Sequence, residues 1–344
     1  MCDTRQCCLR HPRACLGSTS GRHDDELRAS RTLRRLANAE GDLAVSHTTG
    51  ANLPFARNWW RHLELSGVHN FALLATDDSA AEGLSRHLPG HVVRCPRSIV
   101  APTSQGPVGY RSAGWTHLMF AVPLMVRWVL RQGVNVLWMD TDVVALANPF
   151  TAIRAQLEMV ARSKDVSDPA GDDAIGELRG SHAISSSAGT PILLASVDGR
   201  VPEEDRHECA VAYTEDARWG RSAGGWKLCG GLFYLQQGSA SLAFLRDWER
   251  RLRAPGAGAK NQPHYNEALR AHRHTLPVRV LPCDLFPNGY RYSSATWRAA
   301  QRRSPVLVHA NWLKGSRAKH ERLREWGLWR GDENNGTVAV APAG

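Results

Sequence analysis

Two aspartates, Asp140 and Asp142, are separated by one residue at the end of the apolar run "VNVLWMDTDVV". In extended backbone, residues two apart point to the same side, so both carboxylates can converge on one divalent cation. Hard oxygen ligands suit Mg²⁺ or Mn²⁺, and so small a protein set leaves coordination positions for substrate phosphates. A strand of Val, Leu, Trp and Met that delivers two acids is a poor solvated face, because its core would carry uncompensated charge. A second cluster, His309-Ala310-Asn311-Trp312, ends another apolar strand, where an imidazole is either a satisfied core group or a ligand. Ten residues further on, Lys319 follows Gly315 in a basic loop. A glycine that lets backbone approach a ligand, followed by an ammonium point charge, makes a pyrophosphate clamp or simply a basic surface loop.

The elements that must position these groups read as alternating strands and helices. "DLAVSHTTG", "NFALLATDD" and "HVVRC" are strands, separated by the amphipathic "FARNWWRHLELSG" and a helix-length spacer. Residues 112–131 carry a three-and-four apolar period that includes Pro123, and Gly133 stops it. The Asp140 strand follows. Later strands are "PILLASVD", "KLCGGLFYLQ", "VRVLP" and "PVLVHANW", with helices over 241–252 and in "QPHYNEALRAH". Such alternation predicts a mixed, mainly parallel α/β sheet with helices on both faces, and ligands bind outside the carboxyl ends of its strands.

A chain of 344 residues with 42% hydrophobic and 22% charged residues folds as a soluble globular protein rather than as a coiled coil or a disordered chain. The expected organisation is a basic, Cys-rich tail over 1–40, with a short helix near Glu26 to Ala39, then a single domain over 41–330 and a flexible tail over 331–344. Within the domain, 161–226 reads as a loop-rich insertion between a first half, 41–160, and a second half, 227–330. Four of the eight cysteines crowd into residues 1–15 without a Cys-x-x-Cys pair, which argues against a zinc site, while Cys95, Cys209, Cys229 and Cys283 read as thiols or disulfides. The net charge of +10 favours an anionic partner, but the arginines are dispersed and no nucleic-acid-binding module is legible. No run of about 18 apolar residues exists, so no membrane span is expected.

Four ordered segments together resemble the nucleotide-diphospho-sugar transferases of glycosyltransferase family 77, plant and algal arabinosyl-, xylosyl- and galactosyltransferases. They are "GVNVLWMDTDVVALANPF", "LCGGLFYL", "NQPHYNEAL", and "VLPCDLFPNGYRY" leading to "PVLVHANWLKGSRAKHERLREWGLW". The resemblance spans about residues 42–330. It implies a GT-A fold, a UDP-sugar donor, a glycan or glycoprotein acceptor, a Mn²⁺ or Mg²⁺ cofactor, and a Golgi location, although this chain shows no anchor. It also implies roles: Asp140 at ribose and metal, Asp142 as main metal ligand, His309 completing the metal site, and Gly315 with Lys319 along the diphosphate. Thr48, Thr49 and Asp77 would hold the uridine, and Gln262 would sit near the sugar at a centre that retains anomeric configuration. If retention uses a carboxylate, Asp198, Asp284 and Glu267 are the acids to inspect, Asp198 first. Trp312 and Trp329 are candidates for an acceptor groove.

The chain departs from the family pattern at Asn261, where the family has Asp, at Cys229-Gly230, where it has Asn-Thr, and at Val122, where a basic residue is usual and Arg111 is the nearby substitute. Two other readings stand beside the transferase. A haloacid-dehalogenase-like phosphatase would use Asp140 as nucleophile and Asp142 as acid, and a non-catalytic UDP-binding relative would keep the fold alone.

Overall fold

The computed structural model describes residues 12–100, 113–165, 193–198, 227–254 and 260–332. Arg111, most of the 161–226 segment and residues 333–344 lie outside them. Strands β1 (Asp42–Thr48), β2 (Phe71–Ala75), β3 (Val92–Arg94) and β4 (Asn135–Met139) follow the expected apolar runs. After β5 (Val143–Ala145) come β6 (Leu193–Asp198), β7 (Lys227–Leu235), β8 (Val278–Val280) and β9 (Leu307–His309). Seven of them form one sheet in the order β3-β2-β1-β4-β7-β6-β8, and β5 with β9 forms a separate ribbon. β7 runs antiparallel to both β4 and β6, while the other pairings of the large sheet are parallel. This is the mixed, mainly parallel α/β architecture that the alternating pattern implied.

Period-two alternation splits the core across the sheet. Val45, Leu74, Trp138 and Phe233 pack on one face and Ala44, Leu73, Leu137 and Tyr234 on the other. The first face is covered by α1 (Pro12–Leu36), α4 (Ala113–Leu130), α6 (Ser239–Leu252) and α7 (Asn261–His272). The second is covered by α2 (Leu53–Leu65) and α5 (Pro149–Asp165). Helix α1 corrects the expectation of a tail over 1–40. It begins at Pro12, and its last turns bury Leu33 and Leu36 in the core, so its apolar stripe is tertiary contact and not a solvated basic helix.

The remaining helices are α3 (Asp78–Ser85), α8 (Gly289–Ser293), α9 (Ala295–Ala300) and α10 (Ser316–Glu325). Among the described residues Cys95 and Cys229 are free thiols, and burial pushes Cys95 up to about 12.

Candidate active site

The acidic pair is not extended. The amide of Asp140 still donates to the Gly231 carbonyl of β7 at 2.7 Å, continuing the sheet, but Val143 N–H then donates back to the Asp140 carbonyl at 2.9 Å. Asp140 to Val143 is therefore a tight turn between β4 and β5. The two carboxylates converge because the chain reverses here, and not by the same-side rule for strands. Strand β5 pairs antiparallel with β9, setting Val143 opposite His309, and the Ala310 amide donates to the Asp142 carbonyl at 2.9 Å. A residue 167 positions away is thus carried to the acids by the β5–β9 ribbon.

The result is a buried cluster. Carboxylate oxygens of Asp140 and Asp142 and a ring nitrogen of His309 all lie within 4.8 Å of one another. His309 Nε2 is 3.4 Å from Asp142 Oδ1, and Lys319 Nζ is 2.5 Å from Asp142 Oδ2. Lys319 reaches in from the first turn of α10, whose start is set by Gly315 at φ 82. Among the described residues, Asp142 Oδ2 is buried and Lys319 is its close partner. Ligand atoms on one Mg²⁺- or Mn²⁺-sized ion with ~2.1 Å bonds sit at most ~4.2 Å apart, so only a small closure is needed. The donor set, two carboxylates and an imidazole, fits a hard divalent cation that takes over the Asp142 oxygen now paired with Lys319.

The electrostatics show what the cluster does without one. Burial, then the neighbouring Asp142 charge, raises Asp140 to about 6. Burial also opposes ionisation of Asp142, but Lys319 and His309 outweigh it and hold that carboxyl far below the usual range. Burial pulls His309 down, yet Cys229 and Asp142 raise it well above the usual imidazole value. Lys319 is raised in the same way, Asp142 outweighing burial. Two protein cations therefore balance the acids, and a metal must displace some of that charge.

Two residues to which the sequence reading gave no role at the metal cluster, Gly231 and Cys229, support it. A Cβ on Gly231 would collide with Asp140 Oδ2 and come to 3.0 Å from His309 Cε1, so only glycine leaves room for the cluster. The paired glycines inside a strand run were the available signal. Cys229 Sγ lies 3.5 Å from His309 Nδ1 and also accepts from the Gly231 amide at 3.4 Å. It stands behind the ring on the side away from Asp142.

The carboxyl ends of β1 and β2 form a second edge. Thr48 carbonyl accepts from the Thr76 amide and hydroxyl, both at 3.0 Å, which leaves Thr49 Oγ1 buried without a partner. Asp77 caps α3, its Oδ1 accepting from Ala80 N–H at 2.7 Å, and both its oxygens accept from Gly50 N–H at 3.1 Å.

Gln262 occupies the first turn of α7. Its neighbour Asn261 is a clamp. Its Oδ1 accepts from Trp248 Nε1 at 2.8 Å and its Nδ2 donates to the Met119 carbonyl at 3.2 Å. Met119 is four residues before Pro123, whose missing N–H leaves that carbonyl without its helical partner. An amide satisfies both groups at once; an aspartate has no donor for the second. Val122, the other departure in this helix, is core.

Asp198 ends β6 opposite Lys227, four residues before Gly231 along β7. Its backbone reaches the same sheet edge as the cluster. Asp284 is held by Arg303 and Glu267 by Arg251 and His264, so both are engaged in ion pairs on other surfaces. Trp329 is also spent. It packs edge-on against Phe55 with centroids 5.1 Å apart and donates to Asp332 at 2.8 Å, which removes it from an open acceptor groove. Trp312, in contrast, is 53% exposed.

The chain is 22% identical over 309 residues to UDP-D-xylose:L-fucose alpha-1,3-D-xylosyltransferase 1 of Arabidopsis thaliana, covering 87% of this chain and 73% of that protein. It is 22% identical over 241 residues to the UDP-galactose:fucoside alpha-3-galactosyltransferase of Dictyostelium discoideum, covering 66% of this chain and 30% of that one. Among solved structures, mouse xyloside xylosyltransferase 1 aligns with 80% of this chain and 99% of its own at 14% identity and a TM-score of 0.39. The family model for nucleotide-diphospho-sugar transferases matches residues 66–323, a stretch that contains the acidic turn, the Gly231 strand, His309 and Lys319, and the chain belongs to that family.

Proposed function

We propose that this protein is a retaining glycosyltransferase that moves a pentose or galactose from a UDP-sugar to a glycan or glycoprotein acceptor with the help of Mn²⁺ or Mg²⁺. The observation that carries the reading is the convergence of Asp140, Asp142 and His309 beside Lys319. Asp142 and His309 would hold the cation, and Asp140 would reach it and the ribose. A cation bound there would polarise the diphosphate and stabilise the charge that develops on it.

The protein's own groups supply the rest. Lys319, released from Asp142, lies one turn from Gly315, and together they line the diphosphate. Thr48, Thr49 and Asp77 form the uridine edge, where the unpartnered Thr49 hydroxyl offers a hydrogen bond. Gln262 and Asp198 are assigned to the sugar side. Retention requires either attack by a carboxylate or approach of the acceptor on the leaving-group face. The engagement of Asp284 and Glu267 elsewhere leaves Asp198 as the acid for the first route. The relatives' acceptors, L-fucose and a fucoside, come to this chain as the first to try. A Golgi location is likewise proposed from the family; no described helix is long and apolar enough to cross a membrane.

No feature of the fold or of the relatives supports the phosphatase alternative. Calorimetry with UDP, with and without Mn²⁺, tests the reading, followed by a UDP-sugar hydrolysis and transfer panel. Metal-dependent UDP binding that vanishes in Asp142→Ala is the expected outcome. UDP binding indifferent to metal and to Asp142 would overturn it, and binding without turnover would leave the non-catalytic relative.

A further inference from the structure

Trp312 is the one residue other than glycine, among those described, with a left-handed backbone, at φ 66. A bulky side chain is disfavoured there, and packing does not compensate, because Trp312 is 53% exposed. Its nearest aromatic neighbour, Tyr290, is 45% exposed, with ring centroids 6.0 Å apart and planes inclined by 54°. A large ring held exposed on strained backbone, beside a second exposed ring, is unfavourable in the free protein.

The base beneath them is rigid. Gly289 N–H donates to Asn311 Oδ1 at 2.8 Å, and a Cβ on Gly289 would meet the Asn311 carbonyl at 2.6 Å and that of His309 at 2.9 Å. Asn288 bridges to His309, and its side chain caps α8 by accepting from Arg291 N–H at 2.9 Å. The segments before Tyr290 and before Trp312 are thus pressed together, and the second is continuous with His309. The rings are therefore pre-organised at the rim of the cluster.

We propose that Tyr290 and Trp312 form the binding platform for the acceptor glycoside, taking a sugar ring by its C–H face while its hydroxyls remain in water. This rests on the transferase reading and deepens it. An amphipathic ring pair suits a saccharide because one face of a pyranose is largely C–H and each aromatic tip carries a polar group. The occupant is assigned as acceptor and not nucleotide because the uridine edge is built from hydrogen-bonding groups on β1 and β2. An open platform beside a metal cluster is where a second substrate arrives from solvent.

The test uses the full chain with methyl α-L-fucoside and a small panel of other methyl glycosides, read by ¹⁵N-indole NMR, with the Trp312 signal assigned from Trp312→Phe. In the wild type a glycoside moves that signal saturably. Trp312→Ala and Tyr290→Ala raise the glycoside Kd and the acceptor KM by about tenfold, Trp312→Phe recovers most of the loss, and UDP affinity in the presence of Mn²⁺ stays within about twofold. Trp312→Gly loses acceptor binding equally but raises Tm by ~2–4 °C, since glycine accepts the left-handed backbone. A platform signal that no glycoside moves, or Trp312→Ala weakening UDP while sparing the glycoside, would overturn the proposal. Failure of the wild type to bind UDP would sink the transferase reading instead, and the glycoside titration would still decide the platform.

Discussion

Two carboxylates sit at opposite ends of the same central strands and are buried alike, Asp42 at 3% exposure and Asp142 at 5%. At the amino end of β1, Asp42 accepts from Tyr234 Oη at 2.7 Å, Asn135 Nδ2 at 2.9 Å and Arg154 Nη2 at 3.2 Å. Every partner comes from the protein, and each is neutralised or satisfied in turn. Burial and the adjacent Asp42 charge push the Tyr234 phenol up, so it stays a donor. At the carboxyl end, Asp142 is met by two cationic partners, His309 at Oδ1 and Lys319 at Oδ2. Burial depth therefore does not separate a structural acid from a ligand. The kind of partner does: the sheet's own groups hold Asp42, whereas the charges that balance Asp142 are ones a metal ion can displace.

The contrast breaks most sharply at Asp142. Asp142→Asn keeps the volume but removes the charge, and transfer is expected to fall by ~10³-fold or more, about 4 kcal/mol of barrier, with a smaller loss of Tm because Lys319 and His309 lose a counter-ion that Asp140 replaces only in part. Steady-state kinetics with a UDP-sugar alongside a thermal melt measures both. Asp42→Ala should do the reverse, costing ~3 kcal/mol in urea unfolding by stranding three buried partners while kcat of the folded fraction stays near wild type. A kcat collapse in Asp42→Ala at full stability would erase the distinction.

A finer cut falls on the charge that balances the cluster. Lys319→Met should lower kcat about a hundredfold through weaker leaving-group stabilisation. It should also tighten Mn²⁺ binding in the absence of nucleotide, because Asp142 loses its competing cation. Titration of Mn²⁺ followed by electron paramagnetic resonance reads the second effect; metal affinity that drops would show Lys319 supporting the ion and not competing with it.

The smallest effect tests a departure from the family. Asn261→Asp restores the family residue, yet it is expected to cost ~2 kcal/mol in unfolding and to add no activity, because the Met119 carbonyl beneath Pro123 then faces a second acceptor. Higher turnover from the aspartate variant would mean that position 261 serves the sugar and not the helix.

Much of the frame was legible from residue order. Short apolar runs located the strands of the sheet, and the three-and-four period over 112–131 located a helix that spans Ala113–Leu130. Helix α1 was read too short because its buried residues Leu33 and Leu36 are only two positions in a basic segment, too few for a periodic signal without the sheet they pack on. The acidic pair was found for an incomplete reason. Its spacing was visible, but the reversal that brings both oxygens to one point depends on β5 leaving the large sheet to pair with β9. Trp329 and Trp312 looked equivalent as isolated indoles, and only the packing of Phe55 against the first separated them.

Local chemistry along the chain was enough to specify the α/β alternation, the delivery of Asp140 and Asp142 to a strand end, and the residue types of a cation and diphosphate site, since each depends on neighbours a few positions apart. Three-dimensional packing alone decided that His309 and Lys319 close on Asp142, that Gly231 leaves them room, and that Trp312 is held strained and open to solvent. Those outcomes depend on contacts between segments far apart in the chain, whose register is set by the whole core and leaves no periodic trace in sequence.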